Sequence, residues 1–262
     1  MSAINFYKYQ GTGNDFILVD NRTGDVTLNA GQISKLCDRR FGIGSDGLML
    51  IQKATEPGLD FYLEFFNPDG SKSFCGNGSR CAVAFASYLK ICNGSTQFKA
   101  VDGIHSATIN DEGRVSLKMS DVGAIRNFRD GFFLNTGSPH VVLEVQDLKT
   151  YPVVKEGAEI RYSAEFNPSG TNVNFVERKG DNHFEVRTYE RGVENETLSC
   201  GTGVTAVAVA LHKKYQLTHD EVKITTQGGD LVVKVEPYNY GYRNIYLNGP
   251  TSFVFNGQVS PN

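Results

Sequence analysis

A repeat of about half the chain length is the feature that most constrains the fold. Landmarks recur in the same order at offsets of 123 to 125 positions. "TGND", beginning at Thr12, corresponds to "TGSP", beginning at Thr136, and "CGNG" at Cys75 corresponds to "CGTG" at Cys200. Asn67 and Glu190 form a further pair at this spacing, as do Gly103 and Gly228. Self-similarity at a fixed period predicts two homologous halves.

Short alternating strands dominate each half, for example "HSATIN", "RVSLKM", "NHFEVRTYE" and "DLVVKVE". Helices are predicted at three places: around "AGQISKLCDRR", after Cys75 and after Cys200. The stretches "CAVAFASYLK" and "VTAVAVALHKK" are apolar nearly all round, as a helix enclosed by a sheet should be. The predicted fold class is α+β, with two pseudo-symmetric, mostly antiparallel β domains, each wrapped around a central helix, and the active site at the domain interface.

The predicted domain boundaries follow the repeat. Residues 1–120 form the half that carries Cys75, and residues 121–249 form the half that carries Cys200. The tail "GPTSFVFNG" predicts a last strand within residues 250–262, and this strand is expected to return to the first domain. With 262 residues, 40% of them apolar, the chain is long enough to bury two cores of ordinary size.

Composition narrows the classes of function. A net charge of -3 gives no reason to expect nucleic acid or an acidic membrane surface as a partner. The sequence contains neither a signal peptide nor an apolar run of roughly 18 residues that would span a membrane. Five cysteines without a C-x-x-C pair make a poor disulfide framework or zinc site and are ordinary for a reducing compartment. We therefore expect a cytoplasmic protein that holds no metal and acts on a small molecule.

The two cysteines stand where helix geometry favours anion chemistry. A helix that starts just after Cys75 or Cys200 leaves its first backbone N–H groups without intrahelical partners, and its dipole places positive potential there. This setting stabilises a thiolate and also binds carboxylates or phosphates. The glycines that follow each cysteine let a ligand approach the backbone closely. Each motif is thus a thiol beside a site for an anion.

Two such motifs, related by the repeat, predict cofactor-free epimerisation. Inversion of a carbon centre requires removal of a proton from one face and delivery of a proton to the other, which two opposed acid/base groups accomplish. Two helix N-termini aimed at one carboxylate would stabilise the dianion that forms on deprotonation. "GIGSDG" matches a dinucleotide-binding pattern, but it follows a helix and enters the apolar run "LMLI", so no nicotinamide or flavin site is expected.

Six motifs in order along the chain resemble those of the diaminopimelate epimerase family: "GTGNDF", "FFNPDGSKSFCGNGSRC", "TGSPH", "NVNF", "YERG" and "ETLSCGTG". Proline racemases would share the cysteine motifs alone, whereas "GNDF", "FFNPDG" and "YERG" select the diaminopimelate branch. The resemblance implies conversion of LL-diaminopimelate to the meso form, in the synthesis of lysine and peptidoglycan, by a homodimer.

The resemblance also assigns roles to individual residues. It implies that Cys75 and Cys200 are the acid/base pair, with His140 and Glu190 as accessory residues. It also implies nine substrate-binding residues, one of which, Glu190, has both roles. The first four of the nine would bind through their backbone amides: Gly76, Asn77, Gly201, Thr202, Asn14, Asn67, Asn172, Glu190 and Arg191. Two positions depart from a common version of the family pattern, since Gly47 replaces Gln and Ser138 replaces Asn.

Three other interpretations remain open at the level of sequence. A proline racemase or a related two-half isomerase would use the same cysteines, although it would lack a reason for the polar set Asn67, Asn172 and Arg191. The two thiols would also suit a redox switch, and the helix ends would suit a module that binds an anion without turning it over. Incorporation of solvent deuterium at a substrate α-carbon separates catalysis from the last two.

Overall fold

The computed structural model describes residues 3–260. The chain divides into two compact units, one comprising the residues up to Leu117 together with those from Gly249 onward, and the other comprising Lys118–Asn248. The first unit contains these elements: β1 Ile4–Gly11, β2 Asn14–Asp20, α1 Ala30–Cys37, β3 Gly47–Lys53, β4 Phe61–Phe66, α2 Gly76–Tyr88, β5 Ser95–Ala100, β6 Gly103–Ile109 and β7 Arg114–Lys118.

The second unit follows in sequence. It contains these elements: β8 Ile125–Phe128, β9 Gly131–Asn135, β10 Pro139–Glu144, a 3₁₀ turn at Leu148–Thr150, α3 Val153–Arg161, β11 Asn172–Arg178, β12 His183–Glu190, β13 Asn195–Thr197, α4 Gly201–Tyr215, β14 Glu221–Thr226, β15 Gly229–Tyr238 and β16 Gly241–Pro250. The last strand, β17 Ser252–Val259, belongs to the first unit and pairs antiparallel with β1.

Strand pairing follows the same order in both units. In the first, β1 is antiparallel to β2, β2 parallel to β3, β3 antiparallel to β4, β4 parallel to β5, and β5 antiparallel to β6. In the second, β9, β10, β11, β12, β14 and β15 repeat this series of orientations. Most strand pairs in each unit are antiparallel. The predicted α+β class with two similar, mostly antiparallel halves is confirmed.

One helix is largely buried in each unit. α2 packs against β1, β2, β3, β4 and β6, while α4 packs against β9 to β12, β14 and β15. Val83 and Phe85 of α2 and Val207 of α4 are completely buried, and each such side chain contributes roughly 1.5–3 kcal/mol relative to exposure. Small alanines between them let the surrounding strands approach the helix. The sheets therefore hold the N-terminus of each helix, and the cysteine that precedes it, in a fixed position.

The prediction of only three helices was wrong, because α3 is a fourth. Its sequence contains Gly157, which lowers helix propensity, and this residue lies so close to Tyr189 that an added Cβ would be 2.4 Å from the tyrosine Cβ. Val153, Gly157 and Ile160 face inward at helical spacing. The repeat itself held the missing signal, since α1 and α3 begin at Ala30 and Val153, 123 positions apart.

Within residues 3–260, none of the helices has the length and apolar character needed to cross a membrane.

Candidate active site

Cys75 is the N-cap residue of α2. Its backbone is extended, with φ -131° and ψ 116°, and its Sγ accepts a hydrogen bond from the N–H of Gly78 at 3.4 Å. Gly78 packs closely beneath it, since an added Cβ would lie 3.4 Å from both the Cβ of Cys75 and the Sδ of Met49. The thiol is half-buried, whereas Gly76 and Asn77 are buried. The thiol therefore lies at the positive end of the helix dipole.

Asn77 and Asn14 form an amide pair beside this helix end. Asn77 Nδ2 donates to Asn14 Oδ1 at 2.9 Å, and Asn14 Nδ2 donates to Asp46 Oδ2 at 2.6 Å. Only one of the two amide protons of Asn14 is used in the latter bond, so the side chain can still donate to a ligand. Asn14 is half-buried and Asn77 is buried. The first unit thus brings together three of the residues predicted for the site, Cys75, Asn77 and Asn14.

Charged side chains hold Asp46 and Asp15 in place. Arg39 Nη2 lies 2.7 Å from Asp46 Oδ1 and 2.6 Å from Asp15 Oδ1, and Lys8 Nζ lies 2.7 Å from Asp15 Oδ2. Burial raises the pKa of Asp15, but hydrogen bonds from Arg39 and Lys8 outweigh it and lower the pKa to about 2. The Asp15 carboxylate therefore remains an acceptor at neutral pH, and the hydrogen bond to Asp46 orients the Asn14 amide.

Asn67 lies in the tight turn that follows β4. Its N–H and carbonyl bond to Ser71 and Gly70, its Nδ2 donates to Ser71 Oγ at 2.9 Å, and its Oδ1 accepts from Ser73 Oγ at 3.2 Å. Gly70 has φ +84° and lies against Ala30, which explains the "NPDG" sequence of the turn. The side chain of Asn67 thus has a clear structural role in the turn that leads toward Cys75.

Gly47 is one of the two positions that depart from the family pattern. A Cβ added there would lie 2.6 Å from Phe65 Cε2 and 2.9 Å from the Phe66 carbonyl oxygen. The ring of Phe65 therefore occupies the space that a longer side chain would need. In this chain the position serves packing, and no side-chain contact to a substrate is available from it.

Cys200 occupies the matching position at the start of α4. Its backbone angles, φ -121° and ψ 111°, are close to those of Cys75, but its side chain makes no capping bond to the helix backbone. Its Sγ instead lies 3.5 Å from Thr202 Oγ1, and the residue is buried. Gly203 is tightly enclosed, because an added Cβ would lie 2.5 Å from Asn174 Oδ1 and 3.3 Å from Cys200 Sγ.

Thr202 is bonded to His140, which is in turn bonded to Asn174. His140 Nε2 lies 2.9 Å from Thr202 Oγ1, and Asn174 Nδ2 donates to His140 Nδ1 at 3.2 Å. Because Nδ1 accepts from Asn174, the ring proton belongs on Nε2, which donates to Thr202. The hydroxyl proton of Thr202 is then directed toward Cys200. Thr188 completes the arrangement by donating to Asn174 Oδ1 at 2.9 Å.

Burial keeps His140 neutral. The ring is completely buried, and burial, together with the nearby charge of Arg191, lowers its pKa to about 3. At neutral pH the imidazole therefore acts as a hydrogen-bond donor and carries no charge. The structure places His140 one hydrogen-bonded residue, Thr202, away from Cys200.

Arg191, Asn172 and Ser138 form a polar cluster in the second unit. Asn172 Nδ2 donates to Ser138 Oγ at 2.9 Å, and Asn172 Oδ1 accepts from the backbone N–H of Arg191 at 2.9 Å. The guanidinium of Arg191 donates to the Ser169 carbonyl at 3.1 Å and to Ser138 Oγ at 3.3 Å. Among residues 3–260, no carboxylate forms a salt bridge with Arg191. Ser138 thus takes a place in the polar cluster despite departing from the family pattern.

Glu190 lies at the end of β12, next to this cluster. It is half-buried, and its Oε2 accepts a hydrogen bond from Thr197 Oγ1 on β13 at 2.8 Å. The second unit therefore brings together Cys200, Thr202 and His140 in one group. Asn172 and Arg191 form a second group through their hydrogen bonds.

Sequence reasoning missed two residues that the site uses. Asn174 lies two positions after Asn172 on β11, and side chains two apart share a face of a strand, so "NVNF" held a signal for both. Arg80 is a lone charge in a helix that is otherwise suited to burial, and this exception in an apolar stretch was the signal for it.

Comparison with known proteins agrees with this arrangement. The family model described as diaminopimelate epimerase matches residues 6–125 and 132–254. A curated relative named diaminopimelate epimerase, from Flavobacterium psychrophilum, is 49% identical over 252 residues, which cover 95% of this chain and 97% of the relative.

Solved structures share the fold at low sequence identity. A phenazine biosynthesis protein of the PhzF family from Bacillus anthracis has a TM-score of 0.75 at 15% identity, covering 99% of this chain and all of that chain. A hydroxyproline epimerase from Agrobacterium vitis has a TM-score of 0.72 at 15% identity, covering 98% and 92%. These likenesses concern the fold alone. The family match and the identity to curated relatives over nearly the whole length show that the chain belongs to the diaminopimelate epimerase family.

Proposed function

We propose that the chain converts LL-diaminopimelate to meso-diaminopimelate, a step in the supply of lysine and of peptidoglycan precursors, with Cys75 and Cys200 as the acid/base pair. The observation that carries the proposal is the family match over both halves. The two matched cysteines at the starts of α2 and α4 support the assignment of the pair.

The proposed reaction moves two protons on opposite faces of one carbon. One cysteine thiolate removes the α-proton and becomes a thiol, and the other cysteine thiol delivers its proton to the opposite face and becomes a thiolate. The carbon is inverted, and the total number of protons on the two sulfurs is unchanged. The next turnover in the same direction requires the protons on the sulfurs to exchange with solvent.

The helix ends stabilise the intermediate. We assign the reacting carboxylate to the backbone amides of Gly76, Asn77, Gly201 and Thr202, which point along the two helix axes. Loss of the α-proton places a second negative charge on this carboxylate, and preorganised amides at helix N-termini stabilise such charge. This chemistry needs no cofactor to accept the electron pair.

The polar clusters suit the other end of a long amino acid. Arg191 presents a planar fork that matches a carboxylate, and its guanidinium has donors beyond those bonded to Ser169 and Ser138. We assign Arg191 and Asn172, with Asn14 and Asn67, to recognition of the nonreacting L-amino-acid group. Glu190, at the end of β12, is assigned as an accessory residue whose carboxylate interacts with a positively charged ammonium group of the substrate.

His140 is assigned an accessory role at the second thiol. As a neutral donor to Thr202 it orders the hydroxyl that contacts Cys200, and it adds no positive charge beside the sulfur.

We also propose that the protein is a cytoplasmic homodimer. Phe253 and Phe255, two positions apart on β17, are exposed apolar side chains in the first unit, and neighbouring exposed apolar side chains are typical of protein contacts. A reducing compartment would keep the two reactive cysteines as thiols. Sedimentation of the purified chain at micromolar concentration tests the dimer, and a monomer at all concentrations would contradict it.

A proton NMR time course with LL-diaminopimelate in heavy water tests the function. We expect the α-proton signal to disappear as the meso form accumulates, because the proton delivered after inversion comes from solvent. The Cys75→Ala and Cys200→Ala variants provide matched controls. No exchange and no meso product with the unmodified chain would refute the proposal.

The proline racemase alternative is tested in the same assay with L-proline. The fold likeness to hydroxyproline epimerase is compatible with both functions, so only turnover distinguishes them. We expect kcat/KM for proline to be lower by about 10⁴ or more, because a short ligand leaves the polar cluster at Arg191 unpaired. Comparable values for the two substrates would favour the alternative.

A further inference from the structure

Arg80 is a fully buried charge in α2. Its exposed fraction is 0%, and it lies between Ser79 and Cys81, which are also buried. Burial of a guanidinium is costly unless hydrogen bonds and an opposite charge compensate it. A buried arginine in a helix that has no other charged residue therefore requires an explanation.

The guanidinium joins α2 to the turn between β1 and β2. Its Nη1 donates to Asn77 Oδ1 at 2.9 Å, and its Nη2 donates to Thr12 Oγ1 at 3.2 Å. Its Nε is buried without a hydrogen-bond partner among residues 3–260. The guanidinium is thus held by two bonds on one side.

These bonds set the direction of the amide pair. An arginine only donates, and the Asp46 carboxylate at the other end of the chain of bonds only accepts. Asn77 must therefore turn its oxygen toward Arg80 and its nitrogen toward Asn14, and Asn14 must turn its nitrogen toward Asp46. Asp46 alone fixes the direction of Asn14, whereas Arg80 is the group that holds the Asn77 oxygen. With a neutral group in place of Arg80, the Asn77 side chain would lose this charge-assisted bond and would be held less firmly.

The positive charge of Arg80 lacks a carboxylate partner. Within residues 3–260, no aspartate or glutamate forms a salt bridge with it. Burial lowers the pKa of Arg80 to about 10, so the side chain is still protonated at neutral pH. Its charge interacts favourably with the sulfurs of Cys81 and Cys75. A compensating negative charge is therefore expected from one of these thiols or from a bound anion.

Cys75 is the better candidate of the two thiols. Cys81 is completely buried, and burial raises its pKa to about 12, so it stays neutral. Cys75 is half-buried and stands at the helix N-terminus, where a thiolate is stabilised.

The other titratable groups around α2 do not compensate the charge. Tyr9 on β1 has a pKa raised to about 12 by burial, and His105 on β6 pairs with Asp102 at 2.8 Å while it stacks on Phe74. Arg114 on β7 is a further cation, and its charge opposes that of Arg80. None of these groups places a negative charge beside the guanidinium.

The second half provides an internal contrast. Thr205 stands five residues after Cys200, as Arg80 stands five after Cys75, and it is also completely buried. Its hydroxyl donates to the Gly201 carbonyl at 2.9 Å, within its own helix. The repeat thus preserves the cysteine and the glycines, but at this position it places a fixed charge in only one of the two helices.

We propose that Arg80 is a positioning residue for the Cys75 half of the site, where it holds the Asn77 amide in place and serves as the buried cation that favours the thiolate of Cys75. The proposal rests on the proposed function only in its expected effect on turnover. The orientation of the amides and the reactivity of the thiol are properties of the chain alone.

Alkylation of Cys75 by iodoacetamide as a function of pH tests the charge. Peptide mass spectrometry resolves Cys75 from the other four cysteines, so the full chain is used. We expect Arg80→Gln, which removes the charge, to raise the pH midpoint of alkylation by about 1 unit. Arg80→Lys should leave the midpoint within a few tenths of a unit, and the exposed, Asp20-paired control Arg22→Gln should not change it.

Turnover tests the positioning. A lysine has one nitrogen in place of the fork and cannot hold both Asn77 and Thr12 in the same geometry. We expect Arg80→Lys to lower kcat/KM for diaminopimelate by about tenfold with Cys75 alkylation unchanged. Full activity in Arg80→Lys would overturn the positioning role, and an unchanged alkylation midpoint in folded Arg80→Gln would overturn the electrostatic role.

A measurement on the unmodified chain covers the case in which the variants do not fold. With ¹⁵N-labelled arginine, the Nε resonance of Arg80 should shift with pH at the same midpoint as Cys75 alkylation. A resonance that does not respond at that midpoint would overturn the proposal. Because alkylation and this NMR titration use no diaminopimelate, their outcomes are separate from a failure of the unmodified chain to epimerise it.

Discussion

The N-terminal ends of α2 and α4 have nearly the same backbone and very different polar surroundings. Cys75 and Cys200 are both extended N-cap residues, each followed by Gly-x-Gly. Near Cys75 lies a buried arginine, whereas near Cys200 lies a neutral histidine whose Nε2 bonds to Thr202. The two halves thus share the cysteine, the glycines and the helix start, and differ in the charged and polar side chains around them.

The comparison separates the features that the two helix starts share from those that differ between them. A helix start, a thiol and the first amides of the helix are common to both halves, and the proposed mechanism uses all three in each half. The supporting side chains differ, and the proposed mechanism begins with one sulfur ionised and the other protonated. The predictions below test how far the two halves are equivalent.

Removal of either thiol should have the largest effect. We expect Cys75→Ala and Cys200→Ala each to lower kcat/KM by about 10²–10⁴ or more, because each variant lacks the acid/base group proposed for one face of the substrate carbon. Circular dichroism of each variant should match that of the unmodified chain, since alanine fits both helix starts. Substantial epimerisation by either variant would show that one thiol suffices.

Substitution of Arg191 should weaken recognition of diaminopimelate. We expect Arg191→Met to lower kcat/KM by about 10²-fold, through loss of charge-assisted hydrogen bonds to the substrate. The control Arg243→Met removes a partly exposed arginine of the same unit that pairs with Glu236. Equal kinetics for the two variants would show that Arg191 serves only Ser138 and Ser169.

Glutamine at position 47 should reduce stability. We expect Gly47→Gln to lower the free energy of unfolding by about 1–3 kcal/mol, because the added side chain overlaps the ring of Phe65. Gly123→Gln is the control, since an added Cβ there has no neighbour within 4 Å. Urea unfolding measures both variants, and a smaller loss for Gly47→Gln in a Phe65→Ala background would confirm the contact.

His140 should give a smaller, pH-dependent effect. Its folded-state pKa of about 3 lies below the ordinary value of 6.5, so protonation favours the unfolded chain. The stability that depends on neutral His140 is complete above about pH 6.5 and is lost as the pH falls toward 3.

Relative to His140→Gln, the unmodified chain should therefore lose about 1 kcal/mol per pH unit between pH 6 and pH 4. Urea unfolding at several pH values measures this difference. The exposed His219 provides the control, because His219→Gln should keep the pH dependence of the unmodified chain. Parallel profiles for the unmodified chain and His140→Gln would contradict the assignment of a buried neutral ring.

The sequence by itself determined the two halves, the fold class and the cysteines at two helix starts. These follow from patterns that need only the order of the residues: the repeat offset, the alternation of apolar and polar residues in strands, and glycines next to cysteine at the beginning of an apolar helix. The offset also implied α3, although propensity alone missed it because of Gly157. Such patterns do not depend on which distant residues come into contact, so the sequence alone is enough to predict them.

Only the tertiary structure decided the charge and direction of the supporting groups. Three features depend on residues far apart in sequence. Arg80 is bonded to Thr12 as well as to Asn77. His140 is bonded to Thr202, and Phe65 fills the space beside Gly47. Burial sets the cost of a charge, and the hydrogen-bond partners brought together by folding set its sign and orientation. Neither quantity exists until the strands enclose the helix.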